Sequence, residues 1–197
     1  MTEMTKIHFQ AKNGAFFTLM SEQEADRFHR EKLLDLVMGK ERKRKSSEIL
    51  RRGRFPAYGL SFVIKNFLDE LVGSVRLWNV TFHKGQNETQ GALLLGPLAV
   101  SAECSGIGIG SVLMQHAIET AKKLGHGAIF LVGDSQFYQR FGFSSHLTKN
   151  FAMPGSYEKH HFQALELIPQ YLISCHGILV SSGDLQDVSC NQHYKVT

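Results

Sequence analysis

The apolar positions of this chain fall into runs whose period changes along its length. Runs at 16–20, 60–67, 71–82 and 90–100 are strand-like, rich in Phe, Val, Leu and Ile and bounded by turn-forming residues. Residues 66–70 predict a hairpin turn between the second and third runs, and the polar stretch 83–90, with Gly85, another before the fourth. The stretch 21–38 reads as a helix. Ser21 with Glu24 three residues on forms a capping box, Phe28, Leu33, Leu34 and Val37 supply part of an apolar face, and Gly39 ends it. From Ile109 the spacing is helical: Ile109, Val112, Leu113, His116, Ala117, Ala121 and Leu124 recur on one side. Lys122 and Lys123 suit the negative end of the helix dipole, and Gly125 is the stop. Residues 128–132 form a buried strand by pattern, Asp134 or Ser135 caps a short helix to Phe141, and Gly142 closes it. A last strand is expected within 157–168. The order predicts an α/β fold of the α+β type, a mixed central sheet with helices on its faces, in one domain of residues 1–180 followed by a polar tail, 181–197.

Composition narrows the options. A chain of 197 residues with 43% hydrophobic and 20% charged residues is an ordinary globule with room for one core. Its apolar runs are too short to cross a bilayer and its start lacks the apolar core of a signal peptide, so the expected location is the cytoplasm, away from membranes. The net charge of +4 suits a phosphate-bearing partner. Residues 40–54 carry much of it, as a solvated loop and short helix or as a rim for an anion; without interleaved aromatic residues they do not suggest nucleic acid. Cys104, Cys175 and Cys190 are widely spaced and read as reduced thiols. No metal is expected, since His160 and His161, adjacent in a strand, would point to opposite faces. A homodimer is the default assembly.

The chemistry concentrates between Gly91 and Phe143. Gly96-Pro97 interrupts an apolar strand, and the loop Gly106-Ile107-Gly108-Ile109-Gly110-Ser111 opens a helix. Such a loop binds phosphate because missing side chains let an oxygen approach unpaired N–H groups at the positive end of a helix dipole. A nucleoside-triphosphate loop would need Lys before Ser111, and a dinucleotide fingerprint would need a third glycine where Ser111 stands. A third arrangement fits better. Ser105-Gly106-Ile107-Gly108-Ile109-Gly110, the broken strand Leu94-Leu95-Gly96-Pro97-Leu98-Ala99-Val100 and Phe137-Tyr138-Gln139-Arg140-Phe141-Gly142-Phe143 together resemble the GNAT superfamily of N-acetyltransferases, whose loop follows Q/R-x-x-G-x-G/A.

That resemblance implies a mostly antiparallel sheet with helices on both faces and acetyl-CoA (coenzyme A) as acyl donor. It places the cofactor on Ser105, Gly106, Ile107, Gly108, Ile109, Gly110 and Ser111, with Leu98, Ala99 and Val100 meeting the pantetheine arm and thioester. Arg140 or the 40–54 segment would hold the 3′-phosphate. Ser105 and Ile107 depart from the family pattern. Tyr138 is the expected acid that protonates the departing thiolate. His83, Glu88 and Glu103 are the candidate bases, and the acceptor is a primary amine on a small molecule or a protein. The competing class is a non-catalytic acyl-CoA-binding module.

Overall fold

Period-two alternation dominates the sheet, and the chain builds it largely from hairpins. The computed structural model of the protein describes residues 6–186. In chain order these form β1 (Ile7–Gln10), β2 (Phe16–Ser21), α1 (Arg27–Met38), α2 (Ser46–Ile49), β3 (Ser61–Asn66), β4 (Leu71–Lys84), β5 (Glu88–Val100), α3 (Ile109–Lys123), β6 (Ala128–Val132), α4 (Ser135–Tyr138), β7 (Phe151–Ala152), β8 (Phe162–Glu166) and β9 (Cys175–Ser181). The main path through the sheet is β1-β2-β3-β4-β5-β6-β8, with β9 pairing to β4 and β7. Pairs are antiparallel except β5 with β6 and β7 with β9. The mixed, mostly antiparallel sheet with helices on both faces is as expected.

Helix α3 covers one face. Its Ile109, Leu113, Met114, Ala117 and Ala121 are buried against Ile64, Val75, Leu77, Leu93 and Leu95. Full burial of each large side chain is worth roughly 1.5–3 kcal/mol, so this layer supplies much of the driving force. Gly73 lets the helix lie close: a Cβ there would stand 2.9 Å from Ile109 Cγ2. Helix α1 lies on the other face, with Leu33 and Leu34 against Ala99 of β5. Further along that face Trp78, Val80 and Phe82 pack with Phe130, Phe162 and Leu179.

Several sequence expectations are corrected. The first capping box is Gln23 with Asp26, not Ser21 with Glu24, because β2 runs on through Ser21 and delays the turn. Phe28 and Val37 are exposed, and the buried side of α1 is Arg30, Leu33 and Leu34. A charge occupies the core side because its partners are waiting there. Glu22, at the end of β2, accepts from Arg30 and from Arg76 of β4, and all three are largely buried. Arg30 also meets Glu31 at 2.8 Å, and Arg42 bridges Glu31 (2.5 Å) and Asp35 (2.9 Å). Residues 40–54 are therefore not simply a solvated basic rim, since Arg42 and Arg51 turn inward onto carboxylates. Strands β1 and β9 escaped the pattern, being short or irregular in alternation. Residues 181–186, expected in the tail, are joined to the fold: Ser181 closes β9, and Phe55 N–H donates to Asp184 O (2.8 Å) while Gln186 N–H donates to Gly53 O (2.9 Å). Cys104 and Cys175 are free thiols, whereas Cys190 and the rest of the tail, 187–197, lie outside the described residues.

The buried ion network makes stability depend on charge. Replacing Glu22 with Gln leaves two enclosed guanidinium groups without their shared anion, which should cost on the order of 3–5 kcal/mol in urea denaturation. Glu31 adds a pH signature. Burial alone would raise its pKa, but hydrogen bonds from Arg30 and Arg42 outweigh that and hold the carboxyl at about 2, below its ordinary 4.5. A depressed folded-state value stabilises above the unfolded value, so this contribution should be intact above pH 4.5 and fade as pH falls toward 2.

Candidate active site

The site grows from a mismatch in β5. Val75 of β4 pairs with Leu98, but Leu77 pairs with Leu95, so Arg76 alone faces both Gly96 and Pro97. This is a β-bulge, and it bends the strand that carries the extra residue. Gly96 has φ of 130°, a conformation that side chains on an L-residue disfavour. Trp78 fastens the bulge from the next strand, its Nε1 donating to Gly96 O at 2.6 Å. The extra residue also reverses the faces: Leu93 and Leu95 point to α3 before it, Leu98 and Val100 after it, and Ala99 turns to α1.

Beyond the bulge β5 has no second neighbour among the described residues. Parallel pairing with β6 is confined to Leu93–Ile129 and Leu94–Phe130, so the strands diverge from there. Ser101 N–H donates to Val72 O of β4 at 2.8 Å. By alternation Ala99 also faces β4, and the N–H groups of Leu98 and Val100 point into the widening gap. Leu98 and Val100 are partly exposed there while Ala99 is buried.

The glycine loop closes one end of that gap. Ser105 N–H is taken by Ala102 O (3.1 Å), but among the described residues the N–H groups from Gly106 to Ser111 meet no protein acceptor; the next, Val112 N–H, donates to Gly108 O. Six donors in succession at a helix start make an anion cradle. Gly106 (φ 78°) and Gly108 (φ 103°) are in left-handed conformations that shape it. Gly110 serves packing instead, since a Cβ there would touch the Phe137 ring at 3.4 Å.

Sequence reasoning missed Lys12. The turn between β1 and β2 leans on the loop, with Lys12 N–H donating to Ile107 O (3.2 Å) and Lys12 Cε 4.0 Å from where a Gly108 Cβ would be. The two segments are nearly a hundred residues apart, so only the folded chain brings them together. Arg140 is one ring removed from the loop: its guanidinium lies 4.8 Å from the centre of Phe137, and its Nε donates to Phe137 O.

Tyr138 stands on the far wall. Asp134 caps α4 by accepting from Gln136 N–H at 3.1 Å, which sets the short helix at the end of β6. The Tyr138 ring packs edge-on against Phe137 and Phe143 and lies against the backbone of Gly133, where a Cβ would be 2.4 Å from the ring. Burial, with a smaller push from Asp134, raises its phenol to about 12, so it is held protonated as a donor.

Two of the three candidate bases are not brought together with this gap. His83 and Glu88 sit at the β4–β5 hairpin, six or more residues along the strands from the bulge and thus roughly 20 Å away at 3.3 Å per residue. Glu103 is exposed in the turn before the glycine loop. The expectation about His160 and His161 is corrected as well. They lie in a 3-10 turn, not a strand, and Nε2 of His160 and Nδ1 of His161 each stand 3.3 Å from Glu158 Oε2. Two cavities of about 300 and 370 Å³ lie elsewhere, one around Asn79, His126 and Tyr171, the other around Thr148, Tyr157 and His160.

Residues 17–143 match the model of the acetyltransferase (GNAT) family, nearly two thirds of the chain. The chain belongs to the GNAT family. It is 31% identical over 81 residues to an uncharacterized N-acetyltransferase, YjhQ, of Escherichia coli strain K12, a match covering 41% of this chain and 44% of that protein. The chain thus matches less than half the length of that relative. The fold is similar to a crystal structure of the E. coli GNAT N-acetyltransferase YhbS in complex with CoA, with TM-score 0.70, 20% identity and coverage of 92% of this chain and 93% of that one. It is also similar to a GNAT acetyltransferase from Brucella melitensis in complex with acetyl-CoA, with TM-score 0.56, 22% identity and coverage of 88% and 96%. No helix among the described residues is long and apolar enough to cross a membrane.

The wall residue offers a direct check on this geometry. The ultraviolet difference between wild type and Tyr138→Phe should show no phenolate at pH 10, the ordinary tyrosine value. A transition at pH 10 would show a phenol in contact with solvent.

Proposed function

We propose that this GNAT-family protein is an acetyl-CoA-dependent N-acetyltransferase acting on a primary amine. The observation that carries the reading is the pairing of six unpartnered N–H groups, from Gly106 to Ser111, with an unpaired strand edge beside the bulge. One fits a diphosphate and the other an amide-bearing arm that adds to the sheet as a strand would. Bound acetyl-CoA supplies the activated acyl group as a thioester. Lys12 is a cation beside the loop for its phosphates, and Arg140 is a second, also exposed.

The chain's own groups then divide the work. The Leu98 and Val100 N–H groups, freed from pairing, hold the arm and offer a donor where negative charge develops on the acyl oxygen. Such a donor is worth roughly 3 kcal/mol of barrier lowering when it is preorganised. Tyr138, kept protonated by burial, gives its proton to the sulfur that leaves. The incoming amine must be neutral, and with His83 and Glu88 away from the gap and Glu103 exposed in the turn before the loop, its proton passes to water.

Two substitutions and one assay test this. Incubation with acetyl-CoA and a panel of amines should release free thiol; absence of both thiol release and CoA binding by calorimetry would refute it. Tyr138→Phe should lower kcat by about 100-fold or more while leaving CoA affinity close to wild type. An unchanged kcat would remove Tyr138 from the chemistry, whereas CoA binding by a wild type that releases no thiol would favour the alternative of a binding module. Gly108→Glu puts a carboxylate and a disfavoured φ into the cradle, and CoA affinity in calorimetry should fall by about 100-fold or more. Wild-type affinity in that variant would move the diphosphate elsewhere.

A further inference from the structure

The bulge has a second neighbour, on the side opposite α3. Arg51 follows α2 and is 8% exposed, yet only one of its three guanidinium nitrogens is used: Nη2 meets Glu48 Oε2 at 3.0 Å and Ser47 Oγ at 3.3 Å. Its Nε is enclosed and has no hydrogen-bond partner. Its Nη1 has no acceptor among the described residues and stands 3.5 Å from the position of a Cβ on Gly96. The guanidinium is thus aimed at the residue that kinks β5, two residues before the Leu98 N–H. Burial pushes its pKa down, the loss of water outweighing the help from Glu48, so this charge is under-compensated by the protein alone.

We propose that Arg51 receives a carboxylate of the acceptor, so that the substrate is a compact amino acid whose amine and carboxylate are carried by one small molecule. This rests on the acetyltransferase reading and names its substrate class. Arg suits the task because its charge persists on burial and its donors match a carboxylate. The remaining distance favours a short molecule: the bulge fits the three steps from Leu95 to Leu98 opposite the two from Leu77 to Val75, so Gly96 and Leu98 lie closer than the roughly 7 Å of two regular strand residues, and an amine directed to the acyl carbon near Leu98 and a carboxylate on Arg51 must be separated by only a few bonds. Protein lysines, with no adjacent carboxylate, are disfavoured because they bring nothing to the Nη1 that Glu48 and Ser47 leave unmet.

The test uses the full chain with acetyl-CoA and α-, β- and γ-amino acids, each matched with its carboxamide and with the amine that lacks the carboxyl carbon. Thiol release gives kcat/KM, and calorimetry gives CoA affinity. Wild type should prefer at least one carboxylate-bearing acceptor over its matched amide by about 100-fold or more. Arg51→Met should reduce that preference to under about tenfold with CoA affinity unchanged, and Arg51→Lys should restore part of it. Turnover of the neutral amines alone, or a preference that survives in Arg51→Met, overturns the proposal and leaves the acetyltransferase reading standing. No thiol release from any acceptor, with no CoA binding, overturns that reading and this inference with it. If Arg51→Met fails to fold, as lost CoA affinity would show, the wild-type preference decides alone.

Discussion

Strand β5 has to satisfy two neighbours with incompatible demands. Eleven of its residues pair with β4, while pairing with β6 is limited to Leu93 and Leu94. The extra residue at Gly96-Pro97 resolves the conflict by bending β5 away from β6 while restoring its register with β4. The candidate site follows from that separation. The gap it opens exposes the Leu98 and Val100 N–H groups, sets the glycine loop at one end and leaves Tyr138 on the opposite wall. Trp78 and Gly96 are therefore structural partners of the site without needing to touch a ligand: the indole N–H holds the carbonyl of Gly96, whose φ of 130° side chains disfavour.

The two faces of the sheet do different jobs. The α3 face is apolar and continuous, and it fixes the loop because Ile109 and Leu113 are already locked against β3 and β4. The α1 face is held in part by charge. Glu22, Arg30 and Arg76 form a buried unit that extends through Glu31 to Arg42 and Asp35, tying the first helix and the following segment to the centre of the sheet. Buried ion pairs seldom add net stability over apolar packing, but their directional demands fix where segments sit. Here they place α1 and, through Arg42, the segment that follows it against the sheet at β4. The contacts of Phe55 and Gly53 with Asp184 and Gln186 restrain the same region from the other end of the chain.

Much of the fold was legible in local pattern. The four strands from β2 to β5, the helix after the glycine loop, β6 and the Asp134 cap were all marked by alternation, helical spacing or capping chemistry, and the glycine loop and the Gly96-Pro97 break were visible as composition. The misreadings share a cause. Phe28 and Val37 were assigned inward and Arg30 was not, because periodicity assumes that burial follows hydrophobicity; Glu22 and Arg76 reversed that order at α1. His83 and Glu88 seemed available as bases because sequence does not say how far along a long hairpin the chemistry lies.

The sequence alone determined the backbone conformations of the site, since Gly96, Gly106 and Gly108 carry φ values that other residues resist and helix α3 must begin where its apolar period begins. These are local constraints, enforced by sterics within a few bonds. Only the tertiary structure decided which side chains attend that backbone. Lys12 reaches the loop through the β1–β2 turn, and Arg51 reaches the bulge from the end of α2, beside Leu50 packed in the core. Contacts between segments so distant along the chain depend on packing directions that no local pattern encodes.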